Sequence, residues 1–431
     1  MNYMHILISI IFFSIIDHNK GVNSFVPERR AEHNAILVNK KLYFYGGWAG
    51  GSNRFPNNTL FYLDVSIPFT ISDMPWTDLS SIMGVINRTG ASACIDKIFN
   101  TSIFFIGGDY ENTSTPINKF DTTTQQWSTP VISGSTPLPN NLKFVPCISL
   151  NDVIYIYGGN TSLNAMNKLD TLKLSWSILS SSISPTKTQG YSAILLNESI
   201  LYIGGTNQLA SNGWNCPNKM SNLMEELPLY NINNNNWSSV KTSGKIPLER
   251  CGHSSVFVSQ HNRILLFYGE QDISDVSPIA LDTLTFAWSI PNISNTGIGG
   301  PQQILRWHSS TLIGAYVLIA FGYLYSTTKR TSSSDIFLLD VSRADEYKWV
   351  TSYDPNKTFQ PITTTSYDPA KPTTTLIITT NNINIGTIIG ITIGIVGLLL
   401  LAIIAILIFR NRYTLPNTTS LKNEITDHQP A

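Results

Sequence analysis

Charge is scarce in this sequence. Of its 431 residues 13% are Asp, Glu, Lys or Arg, about half the share in ordinary soluble chains, and the formal net charge is zero. Without a basic face the chain is not a nucleic-acid binder, because such proteins neutralise phosphates with clustered Lys and Arg. Familiar catalytic signatures are missing too: there is no G-x-S-x-G, no H-E-x-x-H and no C-x-x-C, and "GIGG" at 297–300 lacks the strand-to-helix setting of a phosphate loop. Asn, Ser and Thr stand in for the missing charge, and 42% of the residues are hydrophobic, ample for a large core.

Both ends of the chain point to a membrane. Ile6 to Ile16 ("ILISIIFFSII") is an apolar run of signal-peptide length, followed by "DHNKGVNS" with small residues for cleavage near Gly21 to Ser24. Ile385 to Phe409 carries no charge, and as a helix it would reach ~37 Å, enough to cross ~30 Å of hydrocarbon. Arg410 and Arg412 follow at once, whereas only Lys371 lies comparably close on the other side. The positive-inside bias therefore places the C-terminus in the cytosol. This predicts a type I membrane protein with a signal peptide at 1–23, an ectodomain at 24–350, a Thr/Pro-rich stalk at 351–384, a transmembrane helix at 385–409 and a cytoplasmic tail at 410–431.

Within the ectodomain one pattern returns. Apolar runs close in glycine at "LYFYGG" (Gly47), "IFFIGG" (Gly108), "IYIYGG" (Gly159) and "LYIGG" (Gly205), and in the degraded forms "LLFYGE" (Gly269) and "LIAFGY" (Gly322). After each comes a strand ending in Asp or Asn, and then a tryptophan: Asp64 and Trp76, Asp121 and Trp127, Asp170 and Trp176, Asn231 and Trp237, Asp282 and Trp288, Asp340 and Trp349. In four of these the separation is the same six residues. Another short strand precedes each apolar run, as in "HNAILV" or "YSAILL", giving four strands per unit of roughly 50 residues. The last two units depart from the pattern at the second glycine, where Glu270 and Tyr323 stand.

The pattern resembles the kelch repeat over residues 27 to 350. The resemblance implies an all-β fold, a kelch-type β-propeller of six four-stranded blades. Middle strands covered on both faces by neighbouring blades explain the unbroken apolar runs. Ring closure stays open, unless "SFVPE" pairs with the outer edge of the sixth blade. Some relatives of this architecture are copper-radical oxidases, which use two histidines, two tyrosines and a cross-linked cysteine, partly as a Tyr-His dipeptide; this sequence has no Tyr-His. His33, His253 and His308 recur at one place in repeats one, five and six and could hold a metal as neighbours in a closed ring. The kelch pattern instead implies that this position, following Arg30, Arg250 and Arg306, hydrogen-bonds between blades. The reading adopted is a receptor or adhesion module with no cofactor; the alternative is a membrane-tethered carbohydrate-active enzyme.

Further sites follow from position. Cys94 and Cys147 lie on inner strands where other repeats carry small residues, and read as buried apolar side chains. Cys216 and Cys251 fall in connections on one face of adjacent blades and are expected to form a disulfide. Among the Asn-x-Ser/Thr sites, Asn57, Asn112 and Asn160 follow Gly-Gly in loops and are the best glycosylation candidates. Gly386, Gly390 and Gly394 form overlapping G-x-x-x-G steps suited to a homodimer through the membrane helix. The longest inserts, after the first and fourth Gly-Gly, carry Trp48, Arg54 and Trp214, side chains suited to gripping a protein or glycan ligand.

Overall fold

A computed structural model describes residues 25–50, 55–110, 116–134, 142–159, 165–180, 184–185, 189–206, 224–270, 277–295, 299–324 and 331–360. Residues 1–360 form one compact unit; Pro361 to Ala431 form a second, which lies outside the described residues together with the signal sequence, the apolar stretch 385–409 and Gly386, Gly390 and Gly394. Among the described residues no helix is long and apolar enough to cross a membrane.

Each repeat folds into an antiparallel sheet of four strands taken in chain order, to which Ser133–Gly134 and Ser243–Gly244 add a fifth, parallel edge strand in the third and fifth sheets. In the first sheet Asn34–Val38, Lys41–Tyr45, Leu60–Asp64 and Trp76–Asp78 pair successively. Two-residue loops join the first pair of strands, with Asn39, Asn151 and Asn197 at φ 55°, 54° and 54° in three of the sheets. Asparagine tolerates this left-handed backbone better than most residues. The apolar runs are the second strands: every residue of Ser102–Ile106 and of Tyr316–Ala320 is buried, because another sheet covers each face.

The constant six-residue spacing between acid or amide and tryptophan is the geometry of one turn. Asp121 accepts hydrogen bonds from the N–H groups of Thr123 and Thr124, Gln125 turns left-handed at φ 55°, and Trp127 then lies opposite Phe120. Asp170, Leu174 and Trp176 repeat this, as do Asn231, Asn235 and Trp237, and Asp282, Phe286 and Trp288. A type I turn followed by one left-handed residue needs that many positions.

The two degraded glycine motifs break at a different place from the one the sequence suggests. Strand pairing aligns Phe267 with Tyr45, since these residues face Ser254 and Asn34 at the same register. Tyr268 and Phe321 therefore occupy the first glycine's position, at φ 50° and 60°, and the second glycine is kept as Gly269 and Gly322. The reason is contact: a Cβ on Gly322 would lie 2.7 Å from the His308 Cβ and 3.0 Å from the Arg306 carbonyl oxygen, and one on Gly269 would lie 2.7 Å from the His253 Cβ. The first position faces the next sheet, where the ring of Tyr268 meets His308 at 5.4 Å and that of Phe321 meets His33 at 5.1 Å.

The six inner strands stand side by side in a ring, the sixth against the first, as in a β-propeller. One residue from each sheet closes that ring with backbone hydrogen bonds. Glu32 N–H donates to Trp307 C=O, Gly90 to Glu32, Phe144 to Gly90, Gly190 to Phe144, Gly252 to Gly190 and Trp307 to Gly252, at 2.7–2.9 Å. All six have φ between 54° and 64°. Phe25 packs against Phe61 of the first sheet at 5.7 Å, and among the described residues no strand from "SFVPE" pairs with the sixth sheet. The C-terminal side does the clasping: Ser352–Tyr353 pairs with Phe69–Thr70 of the first repeat, Tyr353 donates to Val65 C=O at 3.1 Å, and Gln360 N–H donates to Ser342 C=O at 2.8 Å. Residues 351–360, which composition assigns to the stalk, thus pack on the propeller.

Candidate functional site at the axial mouth

Strands two and three of every sheet, and strand four and the next strand one, connect on the face where the inner strands begin. The ring of six left-handed residues lies there. Three of its members are glycine, and they make room: a Cβ on Gly90 would lie 2.7 Å from the Phe144 ring, and one on Gly252 would lie 2.9 Å from the Trp307 ring. Phe144 and Trp307, from the third and sixth sheets, meet across the axis with centroids 4.5 Å apart. Below them opens a cavity of about 250 Å³ bounded by Glu32, Asn34, Ser92, Tyr191, His253 and His308.

Glu32 is buried at the rim. One carboxylate oxygen accepts from the Thr89 hydroxyl at 2.6 Å and the other from the Tyr323 hydroxyl at 3.4 Å. Trp48 is half-buried and packs with Phe144 against Ala31, Cys251, Trp307 and Tyr323; it exchanges backbone hydrogen bonds with Ala31 at 2.7 and 3.0 Å. It therefore belongs to the mouth, but as a partly packed side chain.

Buried arginines brace the bend after the second strand in three of the sheets. Arg30 donates to Gly46 C=O at 3.1 Å and Asn58 C=O at 2.9 Å, Arg88 to Gly107 C=O at 2.6 Å and to the Asn118 side chain, and Arg250 to Tyr268 C=O at 3.1 Å. Arg88 escaped the sequence reading because no histidine follows it, although its place two residues before Gly90 matches that of Arg30 before Glu32. Arg306 breaks the series. It stands one residue before Trp307, in register with Cys251, and forms an ion pair at 2.9 Å with Glu270 of the fifth sheet. Glu270, which stood out as a departure in the fifth repeat, is thus the partner of an arginine from the sixth.

The histidines do bond between sheets. His33 Nε2 meets Ser309 Oγ of the sixth sheet at 2.8 Å, His308 Nε2 meets Ser254 Oγ of the fifth at 2.6 Å, and His253 Nε2 meets Ser192 Oγ of the fourth at 3.1 Å. Burial pulls His253 and His308 down to about 3. His33 is also held well below its ordinary value, by burial and then by the charge of Arg30. Among the described residues no three His, Cys, Asp or Glu side chains gather as a metal site.

Cys94 and Cys147 are not separate buried thiols but a disulfide, with Cα atoms 6.0 Å apart. Inner strands of consecutive sheets run side by side around the axis, so small residues at one register in two repeats become neighbours; a repeat alignment shows the register but not that adjacency. Cys251 is also disulfide-bonded, while Cys216 lies outside the described residues, as do Arg54, Trp214, Asn112 and Asn160. Asn57 is exposed, and its amide nitrogen donates to Glu28 at 2.7 Å.

The model of the KLHDC2/KLHL20/DRC7 Kelch-repeats domain matches residues 90–322. Kelch domain-containing protein 3 of Rattus norvegicus is 28% identical over 194 residues, covering 41% of this chain and 48% of that protein. Acyl-CoA-binding domain-containing protein 4 of Arabidopsis thaliana is 23% identical over 306 residues, 69% of this chain and 43% of that one. Host cell factor of Drosophila melanogaster is 26% identical over 239 residues, 51% and 15% respectively. The chain thus spans about half or less of the length of these relatives. The solved structure described as "Structure of YjhT" superposes with a TM-score of 0.53 at 12% identity, covering 75% of this chain and 98% of that one.

Proposed function

The chain belongs to the KLHDC2/KLHL20/DRC7 Kelch-repeats domain family, and from that premise we propose a membrane-anchored binding protein whose six-bladed propeller, on the lumenal or extracellular side, engages a protein or glycan around the axial mouth. A kelch domain is a protein-binding module. The observation that carries the reading is the mouth itself, where Glu32, Phe144 and Trp307 converge on the axis beside Trp48. Aromatic groups next to a carboxylate form a recognition surface. No nucleophile with its base stands among them.

The compartment rests on the signal-like run at 6–16, the apolar stretch at 385–409 and oxidised cysteines, which a reducing cytosol would not sustain. Four cysteines occur in the chain, Cys94 and Cys147 bond to each other, and Cys251 is oxidised; Cys216 is the partner we assign to it. A tag placed after residue 24 should be stained on intact cells, and a C-terminal tag only after permeabilisation. The reverse pattern, or both tags inside, would refute the topology.

Ligand capture is tested on the full chain with Trp214→Ala in the insert after Gly205. Loss of about 2 kcal/mol of binding, as for an interface hot spot, with unchanged thermal unfolding supports this face. Equal losses of binding and stability would move the ligand surface elsewhere. For the membrane helix, Gly390→Ile is expected to abolish self-association in a membrane two-hybrid assay.

A further inference from the structure

N-glycans attach to the side-chain nitrogen of asparagine in Asn-x-Ser/Thr, so a folded domain can carry one only where that nitrogen faces solvent. The described sequons divide by whether that nitrogen, or the rest of the amide, is already hydrogen-bonded within the fold. Asn57 Nδ2 donates to Glu28 at 2.7 Å, Asn100 Nδ2 to Asn39 at 3.1 Å, and Asn292 Nδ2 to the Asp345 carbonyl at 3.4 Å. Asn87 is half-buried and accepts from the Thr59 hydroxyl. Asn57 and Asn292 are exposed as well, but Asn197, Asn236 and Asn356 are both exposed and, among the described residues, without a hydrogen bond to their side-chain amides.

These three share one side of the propeller. Asn197 forms the left-handed tip, φ 54°, of the hairpin between Gln189–Leu196 and Ser199–Thr206. Asn236 opens the fourth strand of the same sheet, in the row where Ser199 pairs with Asn231 and Asn231 with Asn236. Asn356 lies in the C-terminal clasp, next to Lys357, whose ammonium pairs with Asp340 at the hairpin end of the sixth sheet. All three are therefore on the hairpin face, away from the axial mouth.

We propose that Asn197, Asn236 and Asn356 carry N-linked glycans, and that the hairpin face of the propeller is the glycan-bearing face. This rests on the lumenal placement proposed above. The glycans would screen that side and leave partner docking to the other, which the mouth occupies. The pairing of Asn57 with Glu28, which the sequence does not reveal, makes Asn57 a poorer acceptor than its loop position suggests.

The experiment is glycosidase release in heavy-oxygen water followed by peptide mass spectrometry, on the full chain expressed in a secretory eukaryotic host. Conversion of Asn to labelled Asp at 197, 236 and 356 is expected, and Asn197→Gln should speed gel migration by one glycan without lowering the unfolding temperature. Label confined to Asn57, Asn87, Asn100 or Asn292 would overturn the assignment while leaving the lumenal placement intact. Absence of label from every sequon, combined with both tags inside the cell, would remove the placement and this inference with it.

Discussion

At the level of single residues, the most informative side chains are buried polar ones. An unfolded histidine titrates near 6.5, whereas His253 and His308 are pulled down to about 3 in the fold and His33 well below its ordinary value. Between those limits the unfolded chain binds protons that the folded one refuses. Their contribution is intact above pH 6.5 and is lost as pH falls towards 3, by about 1.4 kcal/mol per pH unit for each histidine. Denaturant titrations at pH 7 and pH 5.5 should show this loss, and His308→Gln should flatten the slope; an unchanged slope would assign it to other groups. Arg88→Leu is expected to cost about 3 kcal/mol, because the Gly107 carbonyl and the Asn118 side chain lose their buried donors; urea unfolding reads it. Arg88→Lys should fare little better, as one ammonium does not span both acceptors as a guanidinium fork does. The histidines' interblade role was implied by the resemblance to the kelch pattern, in which this position follows arginine. The sequence hid Glu32, which sits in no repeated residue type, and the Arg306–Glu270 pair, which joins two different repeats.

At the scale of strands and turns, nearly everything was legible, since the strand-ending acid or amide, the tryptophan and the glycines all mark backbone geometry. The misreading at Glu270 and Tyr323 arose because alignment by residue identity places the gap at the wrong glycine; only strand register shows that Tyr268 and Phe321 have replaced the first. Two opposed outcomes test this account. Gln125 is exposed and left-handed at φ 55°, so Gln125→Gly should stabilise the protein by up to about 1 kcal/mol, measured as a raised urea midpoint. Gly322→Ala should destabilise it severely, since its Cβ would enter the His308 Cβ and the Arg306 carbonyl oxygen; a near-neutral result would show that the second glycine is not fixed by contact with its own inner strand.

For the whole molecule, closure was what the repeats could not tell, because it depends on contacts between the two ends of the pattern. The clasp formed by Ser352–Tyr353 makes a definite demand: a chain ending at Gln360 should unfold in one cooperative step, and one ending at Val350 should melt at markedly lower temperature by circular dichroism. The Cys94–Cys147 bond spans 53 residues, and by chain entropy its loss costs about 4 kcal/mol. Reductant should therefore lower the midpoint of the wild-type chain far more than that of a Cys94→Ala/Cys147→Ala variant. Last, the circle of hydrogen bonds joining Glu32, Gly90, Phe144, Gly190, Gly252 and Trp307 runs in a single rotational sense. Its amide dipoles chase one another around the axis and cancel, and every N–H on the rim is already spent. Among the described residues the ring therefore offers an anion no amide nest of the kind that cradles phosphates, and with three of its six positions glycine, the side chains it presents are one carboxylate and two aromatic rings, with Trp48 beside them.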